Sequence, residues 1–320
     1  MYKKPNKKLW IGRIDREDRE FGKRWHEKIN FISPPFKKRK KKSIAFLGFD
    51  CDEGVRRNKG RVGAANACDK LKNAIGNFAF HLDKTNLYDA GKVVASKNLG
   101  QSQKELAFHV TKLLDAGYFP IVFGGGHETA YGSFMGLFDS LRDKNDIAII
   151  NFDAHFDLRI SKQGTSGTPF AQIAKLCKKN SVDFNYMCLG ISKASNTKAL
   201  FKKAHDLNVK YILDTKMTYN NLQHIKKQIK KFLKNKKYLY ITIDVDVFCP
   251  YSVFAVSAPS YRGIELNISC DILAYLFGKY KNKIKLMDFA EFNPRFDIQD
   301  ISKSSIARLI YDAVELKVQC

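Results

Sequence analysis

Short apolar runs alternate with helix-period stretches along the whole chain, and no other feature constrains its fold as much. Strands are expected at residues 43–49, 86–90, 119–123, 147–153, 186–191, 209–213, 238–246 and 284–291. Within 102–116, Leu106, Val110, Leu113 and Leu114 recur at helical spacing, and Gly117 follows as a stop. Near the end of the chain, Ile306, Leu309, Ile310, Ala313 and Val314 share one helical face. The expected strands are apolar throughout, so both faces of their sheet must be covered. Such strand–helix alternation predicts an α/β fold, a three-layer α/β/α domain around a mostly parallel sheet of about eight strands. A chain of 320 residues with 44% apolar residues can bury a core of that size. No repeat and no Gly-, Pro- or Ser-rich linker divides it. Residues 43–320 are therefore expected to form one domain, with residues 1–42 as an N-terminal extension packed on it.

Acidic and imidazole side chains interrupt the apolar pattern at the expected strand ends. One segment reads Asn151-Phe-Asp-Ala-His-Phe-Asp157 and another reads Ile243-Asp-Val-Asp246. On an extended chain, period-two spacing points Asp153, His155 and Asp157 to one side, and Asp244 and Asp246 likewise. His127 follows a third strand, after Gly124-Gly-Gly126. Ligands of open parallel sheets bind at the carboxyl ends of the strands, where all six residues fall. Four carboxylates in apolar surroundings repel one another and resist desolvation, so a cation between them is required. Imidazole and carboxylate donors without thiolate suit a divalent ion such as Mn²⁺. Four negative charges balance two such ions, and a hydroxide bridging the pair would be nucleophilic near neutral pH. Any one of these residues alone reads as a cap or an ion-pair partner. Gly124–Gly126 lacks the Lys-Ser/Thr of a phosphate loop and reads as a turn presenting His127.

Four segments resemble, in order, the signatures of the ureohydrolase (arginase) superfamily. They are Gly124-Gly-Gly-His-Glu128, Asn151-Phe-Asp-Ala-His-Phe-Asp157, Thr242-Ile-Asp-Val-Asp246 and Asp288-Phe-Ala-Glu-Phe-Asn-Pro294. Further segments, among them Ser166-Gly-Thr-Pro-Phe170 and Gly190-Ile-Ser-Lys-Ala-Ser-Asn196, are similar to its formimidoylglutamase branch. The resemblance implies an arginase-like fold and a hydrolase with two Mn²⁺ per subunit. Its substrate would be N-formimidoyl-L-glutamate, cleaved to L-glutamate and formamide in histidine breakdown. One metal would take His127, Asp153, Asp157 and Asp244. The other would take Asp153, His155, Asp244 and Asp246, with Asp153 and Asp244 bridging. Asp157 is the expected proton relay, and Glu291 the carboxylate that anchors the cationic amidinium. Arg159, two residues past Asp157, offers a bidentate fork for a substrate carboxylate. Ser166, Ser192 and Asn196 are further expected substrate contacts. Phe170 stands where arginases carry a shuttle histidine, which argues against arginase. The alternatives are another guanidino or amidino hydrolase, agmatinase- or arginase-like, and a basic nucleic-acid-binding protein on a retired hydrolase scaffold. Superfamily members commonly form rings, so a homo-oligomer is expected.

The net charge of +24 raises the question of nucleic acid. The excess is mostly lysine spread along the chain, as in 226–237, and no nucleic-acid motif accompanies it. The dense run at residues 37–42 reads as a loop before the first strand. Nucleic acid is thus not the expected partner; a small molecule is. No apolar run approaches the roughly 20 residues of a membrane helix. Residues 1–8 lack the apolar stretch of a secretory signal. The seven cysteines include no C-x-x-C pair. Together these predict a cytoplasmic protein with reduced thiols.

Overall fold

The computed structural model describes residues 1–39, 42–82 and 85–319, so Lys40 and Lys41 of the basic run lie outside the described residues. Its strands are β1 (Tyr2–Lys3), β2 (Asn30–Phe31), β3 (Ser43–Asp50), β4 (Asn86–Val94), β5 (Phe119–Phe123), β6 (Ile147–Phe152), β7 (Asn185–Ile191), β8 (Lys210–Leu213), β9 (Tyr238–Asp244) and β10 (Ile284–Ala290). They form one ten-stranded sheet in the order β1-β4-β3-β5-β10-β9-β6-β7-β8, with β2 also paired to β4. Every pairing is parallel except that of β1 with β4. The sheet exceeds the expected eight strands by β1 and β2, two-residue segments too short to show a period in sequence.

The helices are α1 (Trp25–Lys28), α2 (Glu53–Arg57), α3 (Ala67–Gly76), α4 (Leu99–Asp115), α5 (Thr129–Ser140), α6 (Pro169–Lys179), α7 (Lys198–Asp206), α8 (Leu222–Phe232), α9 (Leu266–Tyr280) and α10 (Ile301–Gln319). They make the two outer layers, and the apolar strands feed both. In β3, Ile44 and Phe46 join the core under α3, α9 and α10, whereas Ala45, Leu47 and Phe49 join the core under α4, α5 and α6. This is the period-two pattern of a sheet buried on both faces. Helix α4 starts three residues before the expected 102 because the Asn98 side chain accepts a hydrogen bond from Gln101 N at 3.1 Å and caps it. It ends as expected at Gly117, whose φ of +84° lets Tyr118 N reach back to Leu113 O at 3.0 Å.

The first residues of the chain are tied to β4. Trp10 Nε1 donates to Asp89 Oδ2 at 2.8 Å, and Lys72 Nζ meets Asp89 Oδ1 at 2.5 Å in a fully buried pair. Trp25 is fully buried against Phe46. Tyr2 of β1 stacks on His109 of α4, with ring centroids 4.5 Å apart. Burial holds the pKa of His109 below its ordinary 6.5. The unfolded chain therefore takes up this proton first as pH falls, so His109 costs stability below about pH 6.5. We expect a His109→Gln variant to lose less stability than the wild type between neutral pH and pH 5.5, as read by urea midpoints. An equal loss in both proteins would refute the linkage.

Candidate metal centre

The central strands β5, β10, β9 and β6 are neighbours, and their carboxyl ends carry the site. The turn after β5 brings His127 in. Gly125 is required there, because a Cβ on it would lie 1.6 Å from Cys51 O at the end of β3. His127 N donates to Glu291 Oε1 at 2.9 Å, and Glu291 N donates to Gly125 O at 2.7 Å, which locks the β5 and β10 exits together.

The acidic segments are not extended, and here the structure corrects the sequence reading. Strand β6 ends at Phe152 and β9 at Asp244, and residues 245–247 form a 3-10 turn. The carboxylates themselves bend the chain. Asp153 Oδ1 accepts from His155 N at 2.6 Å, and Asp244 Oδ1 accepts from Asp246 N at 2.9 Å. Side-chain oxygens of aspartate close turns in this way and compete with the strand ladder. Asp157 adopts a φ of +49°, the left-handed region, which turns its carboxylate back toward His127.

The donors converge in two groups that share Asp153: His127, Asp153, Asp157 and Asp244, and Asp153, His155 and Asp246. Asp244 falls in the first group, and the resemblance implies it as a ligand of both ions. His127 Nδ1 lies 3.1 Å from Asp153 Oδ2, 3.0 Å from Asp157 Oδ2 and 3.1 Å from Asp244 Oδ2. His155 Nδ1 lies 3.1 Å from Asp246 Oδ2. Donors about 3 Å apart are spaced as the edge of an octahedron with metal bonds of about 2.1 Å. Asp246 Oδ1 is buried without a hydrogen-bond partner among the described residues. The donor set and its spacing therefore fit hard divalent ions.

Electrostatics point the same way. Burial pulls the pKa of His127 down, but Asp244, Asp153 and Asp157 outweigh it and hold the imidazole well above 6.5. Burial, then Asp246 and Asp153, pushes Asp244 well above the carboxylate range. Burial and Asp153 push Asp157 up to about 6. A cation bound among these groups would offset their clustered negative charge.

A supporting layer orients these donors. Thr242 Oγ1 lies 3.0 Å from His127 Nε2, leaving Nδ1 to the carboxylates. Asn151 Nδ2 donates to Asp153 Oδ2 at 2.8 Å and to the Tyr186 hydroxyl at 2.9 Å. Phe170 is fully buried, stacked on Tyr186 at 4.2 Å and edge-on to His127 at 5.4 Å. It packs the metal-side imidazole and offers no proton relay.

A cleft of about 140 Å³ opens over the donors, lined in part by Arg159, Ser166, Asn196 and Glu291. Arg159 is its only arginine among the described residues. Arg57 and Arg61, by contrast, are engaged by Glu53 and by the Val256 carbonyl. Asn196 is spent on the backbone. Its Oδ1 accepts from Phe156 N at 3.1 Å, and its Nδ2 donates to the carbonyls of Ala154 and Ser192 at 2.8 Å each. It braces the loop carrying His155. Ser192 is buried beside it and does not line the cleft among the described residues. Asn58 and Ser257 do line the cleft, and sequence reasoning missed both. Asn58 Nδ2 reaches Ser166 Oγ at 3.3 Å. Glu128, also missed as a site residue, lies under Glu291. Its Oε1 accepts from Gly54 N at 2.8 Å, and burial raises its pKa to about 7.

This fold and donor set belong to a known class: residues 42–315 match the model of the Arginase family, and the chain is a member of that family. It is 42% identical over 309 residues to the formimidoylglutamase of Aeromonas hydrophila, covering 96% of this chain and 97% of that one. It also superposes on the formimidoylglutamase of Bacillus subtilis with a TM-score of 0.81 at 20% identity, covering 94% of each chain. The formiminoglutamase of Trypanosoma cruzi, solved with Mn²⁺, gives a TM-score of 0.77 at 22% identity over 87% of this chain and 94% of that one. No helix among the described residues is long and apolar enough to cross a membrane.

Proposed function

We propose that this protein hydrolyses N-formimidoyl-L-glutamate to L-glutamate and formamide, using two Mn²⁺ ions per subunit. The observation that carries the reading is the cleft itself. It holds two fused donor groups on its floor, a buried carboxylate at one side and one arginine at its rim. The full-length likeness to formimidoylglutamases supports the choice of substrate. His127, Asp153, Asp157 and Asp244 would hold one ion, and Asp153, His155 and Asp246 the other. Such ions, when bound, supply Lewis acidity and a water that is nucleophilic at neutral pH.

The remaining chemistry falls to the chain's own side chains. The formimidoyl group is an amidine and enters as a cation. Glu291 Oε2 is buried without a partner among the described residues and offers that cation a carboxylate. Arg159 meets a substrate carboxylate at the rim, with Ser166 and Asn58 beside it. Addition of water to the amidine carbon gives a tetrahedral adduct, whose collapse breaks the C–N bond to glutamate. The departing nitrogen needs a proton, which the Asp157 carboxylate passes on from the attacking water. The products balance: water supplies the oxygen of formamide and the hydrogen of the glutamate amine.

We further read the protein as a cytoplasmic homo-oligomer that does not act on nucleic acid. The deciding experiment incubates purified, Mn²⁺-loaded protein with formimidoylglutamate, arginine, agmatine and guanidinobutyrate. Formamide and glutamate are expected from the first alone, with two metal ions per chain by elemental analysis. Urea from arginine, with no formamide from formimidoylglutamate, would overturn the reading.

A further inference from the structure

At the opposite end of the sheet from the carboxylate cleft lies a larger cavity, of about 360 Å³. It opens between the first residues of β3, β5 and β10 and the last turn of α10. Four lysines line it, Lys42, Lys281, Lys285 and Lys317, and no acidic side chain does so among the described residues. Among the described residues, the partners of Lys317 and Lys285 are neutral. Lys317 Nζ donates to the carbonyls of Lys281 and Ile284 at 3.3 and 3.2 Å, and lies 4.2 Å from the centroid of the Phe119 ring. Lys285 Nζ lies 5.9 Å from the Tyr238 ring centroid. Leu114 and Phe119 add an apolar wall.

Lysine clusters are normally placed in water, where repulsion is screened. Here the chain folds them around a concave space within the usual size of small-molecule sites. We propose that this cavity binds a small organic dianion, a molecule with an apolar body and a phosphate or paired carboxylates. The ammonium groups of Lys285 and Lys317 would hold the charge, and the Phe119 wall the body. The strain on Lys317 supports this: burial first, then the charges of Lys285, Lys281 and Lys42, lowers its pKa to about 7. A bound anion reverses that repulsion. The site is separate from the catalytic cleft. Lys285 and Glu291 sit at opposite ends of β10, about 20 Å apart at the rise of a strand.

Titration calorimetry of the Mn²⁺-loaded protein with phenyl phosphate and with phthalate, in low-salt buffer, tests the proposal. Saturable binding of at least one probe is expected, and which one binds separates phosphate from carboxylate ligands. Lys285→Glu should weaken it at least about tenfold, and Lys281→Gln, a milder change, should weaken it too. Hydrolytic activity should be unchanged in both variants. Absence of saturable heat for both probes would overturn the proposal. So would binding that survives Lys285→Glu, or that formimidoylglutamate displaces, since either places the anion at the metal centre.

Discussion

Replacing Asp153 with alanine is expected to strip both metal ions and activity together. Asp153 is the one carboxylate common to the two donor groups, with Oδ2 3.1 Å from His127 Nδ1 and Oδ1 3.6 Å from His155 Nδ1. Without it, the first group loses one of its three carboxylates and the second keeps only His155 and Asp246. We expect kcat/KM to fall on the order of a thousandfold or more, the scale on which a metal-activated water outperforms an ordinary one. The metal-free variant should nonetheless fold. Asp153 follows the last residue of β6, so its side chain lies outside the sheet's own hydrogen-bond ladder. Added Mn²⁺ should then stabilise the wild type, by about 2.7 kcal/mol at a hundredfold excess over Kd, and leave the variant unmoved. Elemental analysis, thermal melts with and without Mn²⁺, and steady-state kinetics read the three outcomes. Two ions retained at full activity would refute the shared role. Asp244→Ala sharpens the comparison. A bridging Asp244, as the resemblance implies, predicts loss of both ions and of activity; loss of the first ion alone would confine Asp244 to the first group.

The second large effect is expected from Glu291→Gln. Glu291 stands just past β10 with a φ of +70°, a left-handed conformation that aims its side chain into the cleft. The amide oxygen of glutamine can still accept the His127 N–H bond that Glu291 Oε1 accepts at 2.9 Å. Metal content and fold should therefore survive. What disappears is the negative charge opposite the amidinium. Loss of one such preorganised contact typically lowers kcat by about a hundred- to a thousandfold. Burial, then Glu128, raises the pKa of Glu291, and an arriving cation opposes that rise. A variant with wild-type kcat/KM and two bound ions would remove Glu291 from substrate binding. A variant that loses metal would recast it as support for His127.

Much of this was legible in the primary structure because the relevant signals are local. Apolar runs with β-branched and aromatic residues marked the strands of the central sheet, including β5 at its full length from Phe119 to Phe123. Polar residues at the ends of such runs marked the six donors, since carboxylates in that setting need a cation whatever the detailed geometry. Other features were hidden because they depend on partners far away in sequence. Asn196 reads as a polar loop residue, and only its bonds to residues 154, 156 and 192 show that it braces the His155 loop. Asn58 and Ser257 lie in segments that resemble the formimidoylglutamase branch, but only the fold shows that they line the cleft. The lysine cavity gathers residues 42, 281, 285 and 317, which no sequence window contains.

The period-two spacing of Asp153, His155 and Asp157 picked out residues that the structure brings together, but for an incomplete reason. It assumed an extended chain, whereas β6 stops at Phe152 and the aspartate oxygens fold the next residues into turns. By itself the sequence determined the layer architecture and singled out the candidate donors, because burial and residue chemistry are properties of each position. Only the tertiary structure decided which candidate donors come together. That depends on β5, β10, β9 and β6 lying side by side, so that His127 meets carboxylates 26, 30 and 117 positions away at about 3 Å. Coulomb energy depends on distance in space, and the sheet order sets that distance.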